Sequence, residues 1–239
     1  MSKIYQALDQ LDRRPAASIA PARRFPARRG IGEPATYERL GTKVVQALRS
    51  APFRTLMITA PDHGEGTSTV AMGLATSLAD RNGLSVLLVD ANIRHQASDF
   101  PSDQPEGGLA SALAEAISLD ALVVETDLPR LALLPAGDMT SGSASAFDTS
   151  RFDVVRDDLV ARADLVIFDA APVLPYADAL ILASKVERVI LVTQADHTHR
   201  GRLEQATAEL HRSNASILGV VLNRKASHAP PWLARRFNL

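Results

Sequence analysis

Short, almost wholly apolar runs recur along this chain, and they limit the fold more than any other feature. RTLMITA (54–60), LSVLLVD (84–90), DLVIFD (164–169), RVILVT (188–193) and SILGVVLN (216–223) each have strand length. None alternates strictly between apolar and polar, so both faces of such a strand must be covered. Residues 130–134 add another strand. Helical spacing falls on residues 37–50, 67–80, 108–116, 177–185 and 200–213. Strands alternating with helices predict a doubly wound, mostly parallel α/β sheet with helices on both faces. Ligands of such a sheet bind beyond the carboxyl ends of its strands.

A length of 239 residues suits one domain with tails. We place the domain at 36–225, after a short helix and basic linker (1–35) and before a tail (226–239). The net charge of −1 gives no large field to attract nucleic acid, and none is expected as a partner. The absence of cysteine excludes a disulfide framework, a thiolate metal site and a cysteine nucleophile. MSKIYQALDQLDRR lacks the apolar core of a secretory signal. No run reaches the roughly 18 apolar residues needed to span a bilayer. A cytoplasmic protein is expected, with any membrane link made through a partner or a weak surface contact.

Ile4, Leu8 and Leu11 give residues 1–14 one apolar helical face. Residues 15–35 form a linker interrupted by Pro15, Pro21, Pro26 and Pro34. From Arg13 to Arg29 the chain carries six arginines with no acid before Glu33. A solvated tail and a contact with anionic lipid or an acidic partner are both open readings. Residues 136–149 read as a flexible surface loop, rich in glycine, serine and alanine. The tail carries Pro230, Pro231 and Trp232 with Arg235 and Arg236, and reads as a docking segment or a frayed end.

The chemistry concentrates after the first strand, in Pro61-Asp62-His63-Gly64-Glu65-Gly66-Thr67-Ser68-Thr69. Strand, glycine loop, hydroxyl pair and helix follow in the order of a phosphate loop (P-loop). Glycines let backbone amides approach phosphate oxygens, and the helix start adds partial positive charge. Residues Gly64, Glu65, Gly66, Thr67, Ser68 and Thr69 are therefore candidates for binding ATP or ADP, with the Ser68 hydroxyl on Mg²⁺. The usual loop ends Gly-Lys-Ser/Thr, and here Thr67 stands at the lysine position. An ion pair at about 4 Å is worth roughly 4 kcal/mol at an effective dielectric of about 20. Losing that much transition-state stabilisation slows phosphoryl transfer by orders of magnitude. The other lysines, Lys3, Lys43, Lys185 and Lys225, all lie far from the loop in sequence. Amides and Mg²⁺ alone would support weak binding.

Asp90 and Asp169 each end an apolar run. A carboxylate at the carboxyl edge of a parallel strand can hold Mg²⁺ beside such a loop. Both are metal candidates, and the catalytic candidates if transfer occurs. A polar strand end without a ligand is the plainer reading of either one alone. His63 reads as an exposed loop residue. His197 and His199 lack a third ligand and are not read as a metal site.

Together these segments resemble the cytoplasmic domain of bacterial tyrosine autokinases (BY-kinases) of capsule and exopolysaccharide biosynthesis, over about 35–225. The opening MSKIYQALDQL is similar to the start of a soluble subgroup. The resemblance puts Walker A on 64–69, Walker A′ on 86–94 (VLLVDANIR) and Walker B on 165–172 (LVIFDAAP), around ATP and Mg²⁺. It implies a fold similar to the partition and division-site ATPases. DAAPVLPYADA (169–179) narrows it to the exopolysaccharide kinases. In ILGVVLN the terminal Asn223 matches a residue that contacts adenine, while an asparagine of a turn is the other reading.

Several family features are replaced. Thr67 takes the place of the lysine, and Asn92 that of the second acid of Walker A′. The Glu, Arg and Arg that join family subunits into a ring read Ala35, Glu38 and Gly41, which leaves a homo-oligomeric ring without its contacts. The family's autophosphorylated tyrosine cluster is absent from the tail, the tyrosines being Tyr5, Tyr37 and Tyr176. The resemblance with these losses implies a regulatory, pseudokinase-like protein with weak or no kinase activity. It would act beside a membrane polysaccharide co-polymerase or export protein, peripheral to the inner membrane. An active ATP-dependent tyrosine kinase or ATPase with a non-standard loop, and a partition-type nucleotide switch, are the other readings.

Overall fold

The computed structural model describes residues 34–93, 107–114, 117–137 and 146–224. The expected helix at 1–14, the basic linker, Arg94, most of the 136–149 loop and the tail from 225 fall outside them. Helix α1 (Pro34–Ser50) precedes β1 (Thr55–Thr59), and α2 (Thr67–Asn82) leads into β2 (Val86–Asp90). Next come α3 (Leu109–Ala114), the single turn α4 (Leu119–Leu122), β3 (Val124–Glu125) and β4 (Leu131–Leu134). The chain continues through α5 (Ser150–Arg162), β5 (Leu165–Asp169), α6 (Ala177–Lys185), β6 (Arg188–Gln194), α7 (Arg200–Arg212) and β7 (Ile217–Asn223).

The seven strands form one sheet in the order β3-β4-β2-β5-β1-β6-β7. The pairings are parallel except that of β3 with β4. Every residue of β1, β2 and β5 is buried, which is why these runs are apolar on both faces. One face is covered by α1 and α2, through Tyr37, Val44, Leu74 and Leu78. The other is covered by α5, α6 and α7, through Phe152, Leu159, Leu182 and Leu210. From β1 the chain steps to one side of the sheet, and from β5 it crosses to the other. The switch point, where ligands of such sheets bind, therefore lies at the carboxyl ends of β1 and β5.

Three elements differ from the sequence reading. Helix α5 was not expected, because acids and arginines fill its outer surface. It buries Phe152, Val155 and Leu159, and its first turn is capped by the Thr149 hydroxyl, which accepts from the Phe152 amide at 3.2 Å. That cap and spacing were the available signal. The short α4 and β3 carry too few residues for a periodic pattern.

Helix α1 packs closely on α2. A Cβ on Gly73 would lie 2.6 Å from the Tyr37 ring, and one on Gly41 would lie 2.8 Å from the Ser77 hydroxyl oxygen. Glu38 pairs with Arg81 of α2 at 3.3 Å. Glu38 and Gly41, the positions to which the resemblance assigns ring contacts, thus lie against this chain's own second helix. No helix among the described residues is long and apolar enough to cross a membrane.

Candidate functional site

The phosphate loop leaves β1 at Thr59 and becomes α2 at Thr67. Gly66 caps that helix in the left-handed region, with φ 86° and ψ 30°. A Cβ there would also lie 2.2 Å from Asn223 Nδ2, so glycine is required by conformation and by space. As the cap residue, glycine contributes no side-chain hydrogen bond to α2. The first helical amides therefore keep their donors directed at the loop, where an anion would sit.

The flank toward β6 and β7 is braced by side chains. Glu65 is buried, and its Oε2 accepts from the Thr198 hydroxyl at 2.8 Å and the Gln194 amide at 3.2 Å. Its Oε1 accepts from the Asp62 amide at 3.3 Å. Asn223 Nδ2 donates to the Glu65 carbonyl at 2.9 Å. Arg224 donates to Gln194 Oε1 at 2.9 Å and to the Gly64 carbonyl at 3.3 Å. Arg202 reaches from α7 to Asp62, with Nε donating to Oδ2 at 2.7 Å and a second nitrogen to Oδ1. The Arg202 hydrogen bond holds the Asp62 carboxyl below its usual range, and Asp62 in turn raises the guanidinium.

The opposite flank carries the acids. Asp90 and Asp169 are register partners at the ends of β2 and β5, both buried, and Asp169 also lies level with Ile58 of β1. The Asn92 amide donates to Asp90 Oδ1 at 3.0 Å, and the Ala91 amide to the Asp169 carbonyl at 2.8 Å. The segment after β5 runs alongside the loop. The Thr59 hydroxyl donates to the Ala171 carbonyl at 2.7 Å, and the Val173 and Leu174 amides donate to the Ala60 and Pro61 carbonyls at 2.9 and 3.3 Å. That segment brings Tyr176 to the rim, where its hydroxyl stands 3.2 Å from His63 Nε2 with the rings edge-on at 5.3 Å.

The fold thus gathers Gly64–Thr69, Asp90, Asp169 and Asn223 at one sheet edge. Glu65 stands apart from the rest of that set, because its carboxylate is a buried brace and only its main chain faces the loop. Among the described residues no group of three His, Cys, Asp or Glu could hold a metal alone. Nucleotide-bound Mg²⁺ does not need one, since it takes one or two carboxylates, a hydroxyl, phosphate oxygens and waters. Ser68, Asp90 and Asp169 form a donor set of that kind, so the residues present fit the ion. His199 instead precedes α7 as its cap residue.

Sequence reasoning missed Thr198, Arg202, Arg224 and the Tyr176 contact. Gln194 and Thr198 lie 129 and 133 residues from Glu65, and Arg224 lies 160 from Gly64, so no spacing rule links them. Neither touching arginine takes the place of the absent lysine in this arrangement. Arg202 is engaged with Asp62, and Arg224 bonds a loop carbonyl rather than facing the amides. Lys185 pairs with Asp153 at 3.0 Å, between α6 and α5.

No family model matches the chain. The tyrosine-protein kinase CpsD of Streptococcus agalactiae is 31% identical over 173 residues, covering 72% of this chain and 75% of CpsD. The crystal structure of the VpsO kinase domain is similar with a TM-score of 0.70 at 28% identity, covering 81% of this chain and 96% of that domain. The cell division ATPase MinD of Pyrococcus furiosus shares the fold, with a TM-score of 0.60 at 23% identity over 77% of this chain and 78% of MinD. The MinD likeness agrees with the expected kinship of fold to the division-site ATPases. On the CpsD match, together with this sheet order and loop, the chain belongs to the bacterial tyrosine-kinase (BY-kinase) family of capsule and exopolysaccharide biosynthesis.

Proposed function

We propose that this chain is a regulatory member of that family with weak or no kinase activity, serving capsule or exopolysaccharide synthesis and export. The observation that carries the reading is Thr67, an uncharged side chain where negative charge builds up during phosphoryl transfer. Asn92 in the second motif removes a further acid. Glu38 and Gly41, engaged with α2, support a chain that does not enter the family ring. Its partner would be a membrane polysaccharide co-polymerase or export protein, met from the cytoplasmic side, so that the chain sits peripheral to the inner membrane. ATP or ADP with Mg²⁺ would bind weakly, through the loop amides, Ser68, Asp90 and Asp169.

Mg²⁺-dependent ATP turnover and phosphotyrosine formation by the purified chain test this. The expected rate equals that of an Asp169→Ala variant. Turnover at kinase rates that Asp90→Ala and Asp169→Ala both abolish would establish the second reading, an active enzyme with a non-standard loop. The buried, register-matched carboxylates favour that second reading. A partition-type switch would require ATP-dependent dimerisation, which light scattering would detect.

A further inference from the structure

The geometry points to Tyr176 as a phosphate-accepting residue whose modification closes the loop to nucleotide. This inference rests on the reading of the loop as a nucleotide site and adds a regulation to it. The chain has three tyrosines. Tyr37 is only 8% exposed, with its ring against Gly73, and burial pushes its hydroxyl above the usual phenol range. Phosphorylating it would require α1 to leave α2. Tyr5 lies outside the described residues. Tyr176 is half-buried between the exposed Pro175 and Ala177, and it precedes α6 on a segment fixed to the loop by the Val173 and Leu174 amides.

The hydroxyl already contacts a group able to accept its proton, His63 Nε2 at 3.2 Å. In the transfer, the Tyr176 oxygen bonds to the γ-phosphorus of ATP. The bond from that phosphorus to the bridging oxygen breaks, and ADP leaves with the electron pair. The phenolic proton passes to His63 Nε2 when the ring carries its own hydrogen on Nδ1. The ATP is handled either by an active tyrosine kinase of the same family or by this chain's own loop. The product carries about −1.5 to −2 charges and strong acceptor oxygens at neutral pH. It stands beside His63, one residue from the Gly64 that begins the amide-lined turn. Asp62 opposes it, but Asp62 is neutralised by Arg202. A dianion held at this rim, beside the residue that precedes Gly64, repels the phosphates of a nucleotide at the loop.

The full chain is incubated with Mg·ATP in two arms, alone and with an active BY-kinase, and phosphopeptides are mapped by mass spectrometry. Phosphate on Tyr176 in either arm, lost in Tyr176→Phe and kept in Tyr5→Phe, is the expected result. Modification only at Tyr5, or none in both arms, overturns the assignment. Modification without added kinase would also contradict the regulatory reading, whereas modification only with it leaves that reading standing. Calorimetry with Mg·ADP then compares modified and unmodified chain. A loss of affinity of at least about tenfold is expected. Equal affinity, or no binding by the unmodified chain, overturns the closing role and leaves the acceptor assignment intact.

Discussion

The phosphate loop and the α1–α2 pair both depart from the BY-kinase pattern, but by different physical routes. In the loop the frame persists and one charge is gone. Gly66 keeps its left-handed turn, and Glu65, Asn223 and the Asp62–Arg202 pair still fix the loop's path. In α1, Gly41 is packed against Ser77, while Glu38 makes a largely exposed pair with Arg81. A missing charge can be restored by one side chain, whereas a contact surface that has become a packed interface cannot. Under the proposed function, the first region stands for lost chemistry and the second for lost assembly.

Gly41→Arg tests the second half of that contrast. The new side chain meets Ser77 at 2.8 Å and also has Asn82 at 3.2 Å. Overpacking of this kind costs about 1–3 kcal/mol, so urea unfolding should show a lower midpoint and size exclusion should show no ring. A stable, ring-forming Gly41→Arg protein would break the comparison. Glu65→Gln sharpens the first half. It replaces a buried carboxylate that accepts three hydrogen bonds, and should cost on the order of 1–3 kcal/mol by the same measurement. Asp62→Asn is the smallest change, below about 1 kcal/mol at neutral pH because both partners are substantially exposed. Its pH dependence has a fixed sign. The folded carboxyl titrates below its unfolded value, so the stabilisation is complete above the unfolded value of about 3.9 and lost as pH falls through the folded one. The gap between wild type and Asp62→Asn should therefore narrow from pH 7 to pH 3.

Much of the fold was legible because β1, β2 and β5 are buried on both faces, leaving uninterrupted apolar runs. Helix α5 escaped because its apolar stripe is narrow, Phe152, Val155 and Leu159 among many charges. The placing of Gly64–Thr69, Asp90, Asp169 and Asn223 at the carboxyl ends of strands was readable, because each follows or ends an apolar run directly. The site was unreadable where distant segments meet. That Glu65 is a brace, that Asn223 spends its amide on the Glu65 carbonyl and that Tyr176 reaches His63 are consequences of strand order. Local spacing does not encode them.

On the proposed reading, one absent cation in an otherwise intact loop sets the activity of this chain. Side-by-side calorimetry of wild type and Thr67→Lys with Mg·ATP tests it most directly. Restoring the charge should tighten binding by at least about tenfold without lowering the unfolding midpoint. Equal affinity in the two proteins, or tight wild-type binding that Arg224→Ala abolishes, would contradict it.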